Sequence, residues 1–198
     1  MFDVDKFMAE LATKRPIFHS EADFQHAFAW QFHEQYPNAT IRLEYPIEGM
    51  HLDILLTTAH MKLAIELKYK TLLREINHNG EYFYLKSHSA QDGGRYDFLR
   101  DITRLERVKK QSEIEGYAIL LTHDSQYWFK GRDNTVDKNF RLYDGRTLNG
   151  DLGWYGNPSK TTIKGREEIL SIWGNYLCKW EEYPSVSSEK FRYLALKI

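Results

Sequence analysis

Residues 51–70 read HLDILLTTAHMKLAIELKYK. Two apolar runs of strand length flank a short polar break, yet the first carries Asp53 and the second carries Glu66 and Lys68. Strand side chains alternate between faces, so Glu66 and Lys68 point the same way. With residues 58–61 as a hairpin turn, Thr57 opposes Lys62, and counting back along both strands sets Asp53 opposite Glu66. A slip of one residue would separate them. Glu21 lies three and seven residues before Phe24 and Phe28, at the N-terminal end of a helical apolar stripe, and is expected to reach the same patch. Unpaired carboxylates in a low-dielectric pocket cost several kcal/mol, and something must offset that. Mg²⁺ does so through one or two carboxylates while keeping waters for a substrate. A lysine beside such a site orients or deprotonates a water, or stabilises charge on a phosphate. The chemistry suggested is metal-assisted hydrolysis of a phosphodiester.

The elements around these residues are legible. A short helix is expected over 4–13. Ser20 reads as an N-cap, with Asp23 at capping-box spacing, for the helix EADFQHAFAWQFHEQY, which stops before Pro37. ATIRLEYPI, HLDILLT and KLAIELKYK read as three strands. RYDFLRDITRLERVKKQ is an amphipathic helix with Phe98, Ile102 and Leu105 inward, and GYAILLTHD is a strand buried on both faces. Between them, NHNG reads as a turn, EYFYLKS as a short strand and QDGGR as a flexible approach to the helix. The core order is therefore α-β-β-β-α-β.

Asp53, then twelve residues, then Glu66-Leu67-Lys68, on adjacent strands after a helix carrying Glu21, resembles the PD-(D/E)XK nuclease superfamily. The resemblance covers about residues 20–123. It implies an α/β, restriction-endonuclease-like core: a mixed sheet flanked by helices. It also implies that Asp53, Glu66 and the Leu67 carbonyl ligate Mg²⁺ (or Mn²⁺), that Lys68 is the catalytic lysine, and that Glu21 is the acid on the first core helix. Leu52 stands where the name-giving proline would be, a variable position in the superfamily. The activity implied is a metal-dependent endonuclease acting on nucleic acid, DNA being expected, and a homodimer is left open. The alternative is an inactive nuclease-fold module that binds nucleic acid or protein. A third reading is a plain interaction module with a structural charged strand face.

Each residue also has a plainer reading. Glu66 and Lys68 would serve as a surface cross-strand pair, although LAIEL is very apolar for that. Glu21 would serve as a first-turn acid complementing the helix dipole. Arg95, Arg100, Arg104, Arg107, Lys109 and Lys110 form a phosphate-binding ridge, or a solvated face balanced by Asp97, Asp101 and Glu106. Lys70 is expected to contact phosphate rather than catalyse. His26 and His33 are too far apart on their helix for zinc, and no zinc constellation is visible.

From Asp124 onward the chain turns polar, glycine-punctuated and aromatic. LYDGRT and LNGD carry turn signals. Residues 124–198 therefore read as a hairpin-bearing extension of one domain, with FRYLALKI as a last strand and EILSIWGNYLCKWEEY ambiguous. Lys130, Arg132, Arg141, Arg146 and Arg166 among Trp128, Phe140 and Trp154 suit nucleic-acid contact, or simply an insertion that needs aromatics to hold itself together. The net charge of −1 over 198 residues means that any basic surface must be local. One cysteine, Cys178, excludes an internal disulfide. The N-terminus lacks the apolar run of a signal peptide, and no stretch reaches membrane-spanning length, so a cytoplasmic protein is expected.

Overall fold

The computed structural model describes residues 2–47, 49–112 and 114–198. Helix α1, Val4–Lys14, is capped by Asp3 and ends at Arg15, because Pro16 disfavours helical backbone in the residue before it. Helix α2, Glu21–Gln35, starts as expected: the Ser20 side chain accepts from the Asp23 N–H. Three antiparallel strands follow, β1 (Thr40–Ile47), β2 (Met50–Thr57) and β3 (Lys62–Lys70). The β2–β3 turn spans residues 58–61, closed by Thr58 N–H donating to the Met61 carbonyl, so Thr57 pairs with Lys62.

Strand β6, Glu115–Thr122, pairs parallel to β3 and therefore needs a long crossover. That crossover holds the hairpin of β4 (Arg74–His78) and β5 (Glu81–Leu85), then helix α3, Gln91–Ser112. Asn79 and Gly80 both take positive φ, so NHNG is a turn with a strand on each side, one more strand than the sequence suggested. QDGGR is not a flexible approach. It forms the first turns of α3, and Gly94 lies where a Cβ would stand 2.3 Å from the Tyr127 hydroxyl.

The mixed sheet has six strands in the order β1-β2-β3-β6-β10-β9. Its last two come from the C-terminus: β9 (Trp180–Val186) and β10 (Glu189–Lys197), with β10 antiparallel to both β6 and β9. The core is therefore not confined to residues 20–123. FRYLALKI buries Phe191, Leu194 and Leu196 in the sheet, and without it β6 would be an edge. Helices α1 and α2 cover one face with Phe7, Phe24, Phe28 and Phe32 over Ile54, Leu56, Leu63 and Ile65. Helix α3 covers the other with Phe98, Leu99, Ile102 and Leu105 over Leu55, Ala64, Ala118 and Leu120. Among the described residues no helix is long and apolar enough to cross a membrane.

The chain between β6 and β9 packs on α3. It carries a second antiparallel pair, β7 (Thr147–Leu152) with β8 (Leu170–Leu177), and a short helix α4 (Lys160–Ile163). LNGD is not a hairpin turn; Gly150, at φ +69°, marks an irregular step inside β7. The aromatics here are cement: Phe140 meets Trp154 edge-on at 4.8 Å and Tyr96 at 5.3 Å. Several bases are structural as well. Arg166 holds Asp97 in a two-pronged pair, and Arg146 donates to three backbone carbonyls. Arg95, expected on a phosphate-binding ridge, is 2% exposed, ion-paired with Asp137 and donating to the Gln126 carbonyl. It sits on the arc of α3 that the extension covers. Arg95→Ala should therefore behave as a loss of a buried ion pair, costing about 3 kcal/mol. That lowers the melting temperature by roughly 6–12 °C in a chain of this size. An unchanged thermal melt would return Arg95 to the surface.

Candidate functional site

Strands β2 and β3 pair from Thr57↔Lys62 as far as Ile54↔Ile65 and then part. The cause lies at Asp53. Ile54 and Leu56 face the α1–α2 side, whereas Leu52, also an even-numbered residue, faces α3, so the alternation of β2 slips between them. On β1 the matching position is Glu44, at φ +48°, a conformation a residue with a Cβ adopts only when held there. Gln25 of α2 clamps this step, donating to the Asp53 carbonyl at 2.6 Å and to the Glu44 carboxylate at 3.1 Å.

Where β2 leaves, the β3 edge would present unpaired amides, which buried backbone does not tolerate. Two acids take them. Asp53 Oδ2 accepts from the Leu67 N–H at 2.6 Å, and Glu21 Oε2 accepts from the Tyr69 N–H at 2.9 Å. Among the described residues, no hydrogen bond reaches Asp53 Oδ1. The Leu67 carbonyl points to the same side of its strand as its N–H, hence into the fork, where it accepts from the Lys68 ammonium at 3.2 Å.

Glu66 and Lys68 project from β3 toward α3, which supplies two residues that the sequence reading left outside the site. Lys68 Nζ stands 2.7 Å from Asp101 Oδ2. The contact is a close, buried ion pair. Arg104 reaches Asp101 Oδ1 at 3.1 Å and Glu66 Oε1 at 3.4 Å, and also donates to the His51 carbonyl. Glu66 and Asp101 are each 2% exposed, and among the described residues Glu66 Oε1 has no hydrogen bond. Asp101 was detectable. Phe98, Asp101, Ile102 and Leu105 stand at the i, i+3, i+4, i+7 spacing of one buried stripe, and an acid in such a stripe faces inward. Arg104 was expected on the nucleic-acid ridge; here its guanidinium lies at the cluster. Lys70 lies 3.5 Å from Glu21, and Arg132 is exposed in the loop after β6. His51 and His60 are both exposed.

The cluster thus holds four carboxylates, Glu21, Asp53, Glu66 and Asp101, and three cations, Lys68, Lys70 and Arg104. Its electrostatics follow from burial. Desolvation pushes Glu66 up to about 9, helped by the negative charges of Asp101 and Asp53 and only partly opposed by Arg104 and Lys68. Asp53 is also raised, chiefly by desolvation, although Lys68 and the Leu67 N–H favour its charged form. Burial alone would pull Lys68 down. The fields of Asp101, Glu21 and Asp53 outweigh that and hold it above the ordinary lysine range, so it is a standing cation and not a base. Among the described residues, no group of three or more His, Cys, Asp and Glu side chains is arranged to hold a metal ion. Two carboxylates suffice for Mg²⁺. Comparison of the chain with protein-family models, curated proteins and solved structures returns no match.

Glu66 gives this arrangement a pH signature. Its folded value, near 9, exceeds its ordinary 4.5, so between these limits the folded protein keeps a proton that the unfolded chain releases. Stability should therefore fall as pH rises through that window. Glu66→Gln, which mimics the protonated acid, should match the parent's melting temperature near pH 5 in chelator-treated buffer. By pH 8–9 it should exceed the parent by about 5 °C or more. Melting curves that stay parallel across this range would show that Glu66 is ionised in the fold.

Proposed function

We propose that this chain is a divalent-cation-dependent nuclease with the restriction-endonuclease-like core of the PD-(D/E)XK superfamily, hydrolysing phosphodiester bonds in nucleic acid, DNA first among the substrates to test. The observation that carries this reading is the fork between β2 and β3. Among the described residues, Asp53 Oδ1 meets no hydrogen-bond donor there, and the buried Glu66 Oε1 has no hydrogen bond, only a 3.4 Å contact with Arg104. Carboxylates left this way fit a hard cation better than they fit water or a permanent ion pair. Asp53, Glu66 and the Leu67 carbonyl would hold Mg²⁺ or Mn²⁺. When bound, such a cation polarises a phosphoryl oxygen and lowers the pKa of a water. Lys68, a permanent ammonium, offsets negative charge accumulating on the phosphate. Asp101 is its positioning residue. Glu21 fixes the β3 edge from which Glu66 and Lys68 project.

A second reading has its own observation. Lys68 and Arg104 are already paired with Asp101 and Glu66, a closed set that an inert binding module would also show.

Cleavage of labelled DNA and RNA, single- and double-stranded, with Mg²⁺, Mn²⁺ or chelator separates the two. Asp53→Ala and Glu66→Ala should lower the rate roughly a thousandfold or more, since each ~1.4 kcal/mol of lost stabilisation is tenfold. Both should leave nucleic-acid affinity intact or improved, because a negative charge facing phosphate is gone. Lys68→Ala should lose cleavage and bind slightly more weakly. Asp101→Asn should cost about tenfold or more in rate with little change in binding. Glu21→Ala should cost less than Asp53→Ala, and Lys6→Ala, exposed on α1, should cut as the parent does. Parent protein that binds but never cuts would establish the second reading. Equal cutting by parent, Asp53→Ala and Lys68→Ala would assign any activity to a contaminant.

A further inference from the structure

Along α3, beside the carboxylate cluster, Arg100, Arg104 and Arg107 stand four and three residues apart and so form one stripe. With Glu168, Ile169 and Trp173 they line a groove of about 330 Å³. Trp173 is 60% exposed, yet its position is built. Its backbone N–H and that of Gly174 both donate to the buried Glu106 carboxylate, at 3.0 and 2.7 Å, and the Tyr176 hydroxyl donates to the same group at 2.9 Å. Gly174 is required for this: a Cβ there would stand 2.4 Å from the Tyr176 ring. Lys110 Nζ lies 4.9 Å from the Trp173 ring centroid and extends the positive edge by one helical turn. Arg107 is exposed and has no ion-pair partner among the described residues. Arg100 pairs with Asp97 at 3.1 Å, and Arg104 joins the groove to Glu66.

An exposed indole on an anchored backbone, set among cations, matches an unstacked base and the phosphates beside it. Bases inside a duplex are stacked on each other and present no face to such a ring. We infer that this groove binds a single-stranded segment of nucleic acid, one base stacking on Trp173 and the adjoining phosphates meeting Arg107 and Arg100. The inference rests on the nuclease reading, whose substrate form it specifies.

Fluorescence anisotropy with a short fluorescein-labelled oligothymidylate, and with a duplex of the same length, tests it in chelator, where nothing is cut. The parent should prefer the single strand. Trp173→Ala should weaken single-strand binding about tenfold, Trp173→Phe should keep most of it, and duplex binding should be little changed by either. Arg107→Ala should also weaken it and make log affinity fall less steeply with log salt, by about 0.7. Thermal melts of the variants, which alter exposed side chains, should match the parent. The groove assignment is overturned if Trp173→Ala binds the single strand as the parent does, if duplex binding falls equally, or if the parent binds no single strand. Displacement by polyglutamate as readily as by unlabelled oligothymidylate would hand the groove to an acidic protein instead. Loss of cleavage in Asp53→Ala with unchanged single-strand affinity in Trp173→Ala would sink the groove and leave the nuclease. Trp173-dependent single-strand binding by a parent that never cuts would sink the nuclease and leave the groove.

Discussion

The parting of β2 from β3 after the Ile54↔Ile65 pair is the constraint from which the site follows. A strand that loses its neighbour must give its amides other acceptors. Here the acceptors are the carboxylates of Asp53 and Glu21, one from the departing strand and one from α2. An acid in each place does two things together. It completes the backbone hydrogen bonding of β3, and it places a carboxylate beside Glu66 and Lys68. Water or a hydroxyl would satisfy the amides equally well, but would bring no charge. The step in β2 is itself held by Gln25 and by the positive φ of Glu44, so α2 both shapes the fork and supplies one of its acids.

Helix α3 answers from the opposite face. Its apolar stripe fixes its rotation, because Phe98, Ile102 and Leu105 must lie on the sheet, and that rotation delivers Asp101 and Arg104 to Lys68 and Glu66. Burying so many ionisable groups is unfavourable as a stability device, since a packed apolar set of similar volume would do as well or better. The arrangement also remains imperfect: among the described residues Glu66 Oε1 has no hydrogen bond, only the Arg104 contact at 3.4 Å. Burial, with the charges of Asp101 and Asp53 beside it, favours the protonated form of Glu66.

The β2–β3 hairpin, its turn at 58–61 and the buried β6 were legible because short-range periodicity and the N-cap at Ser20 act locally. Asp53, Glu66 and Lys68 were legible because charge inside an apolar strand is anomalous wherever it occurs. The slip at Asp53 was not, since it depends on Gln25 and Glu44 meeting across two elements. Arg95 misled for a related reason. An arginine on an amphipathic helix reads as solvated unless the segment covering it is known, and that cover comes from Asp137, more than forty positions later. The membership of β9 and β10 in the main sheet was missed in the same way, because a strand's apolar face does not say which neighbour it pairs with.

Arg104 is the point where the cluster and the α3 groove meet, and this limits what substitution there can reveal. Its guanidinium contacts Asp101 and Glu66, donates to the His51 carbonyl and lines the groove beside Arg100 and Arg107. Removing it would leave two buried carboxylates facing each other with only Lys68 between them, a destabilisation that would resemble a loss of binding or of catalysis. The Trp173 ring meets Lys110, and Arg107 has no ion-pair partner among the described residues. Arg107 and Trp173 share the groove with Arg104 but touch neither Glu66 nor Asp101. The geometry therefore separates residues whose charge the fold itself needs from residues whose exposure the fold does not explain, and only the second kind can report on a ligand without also reporting on stability.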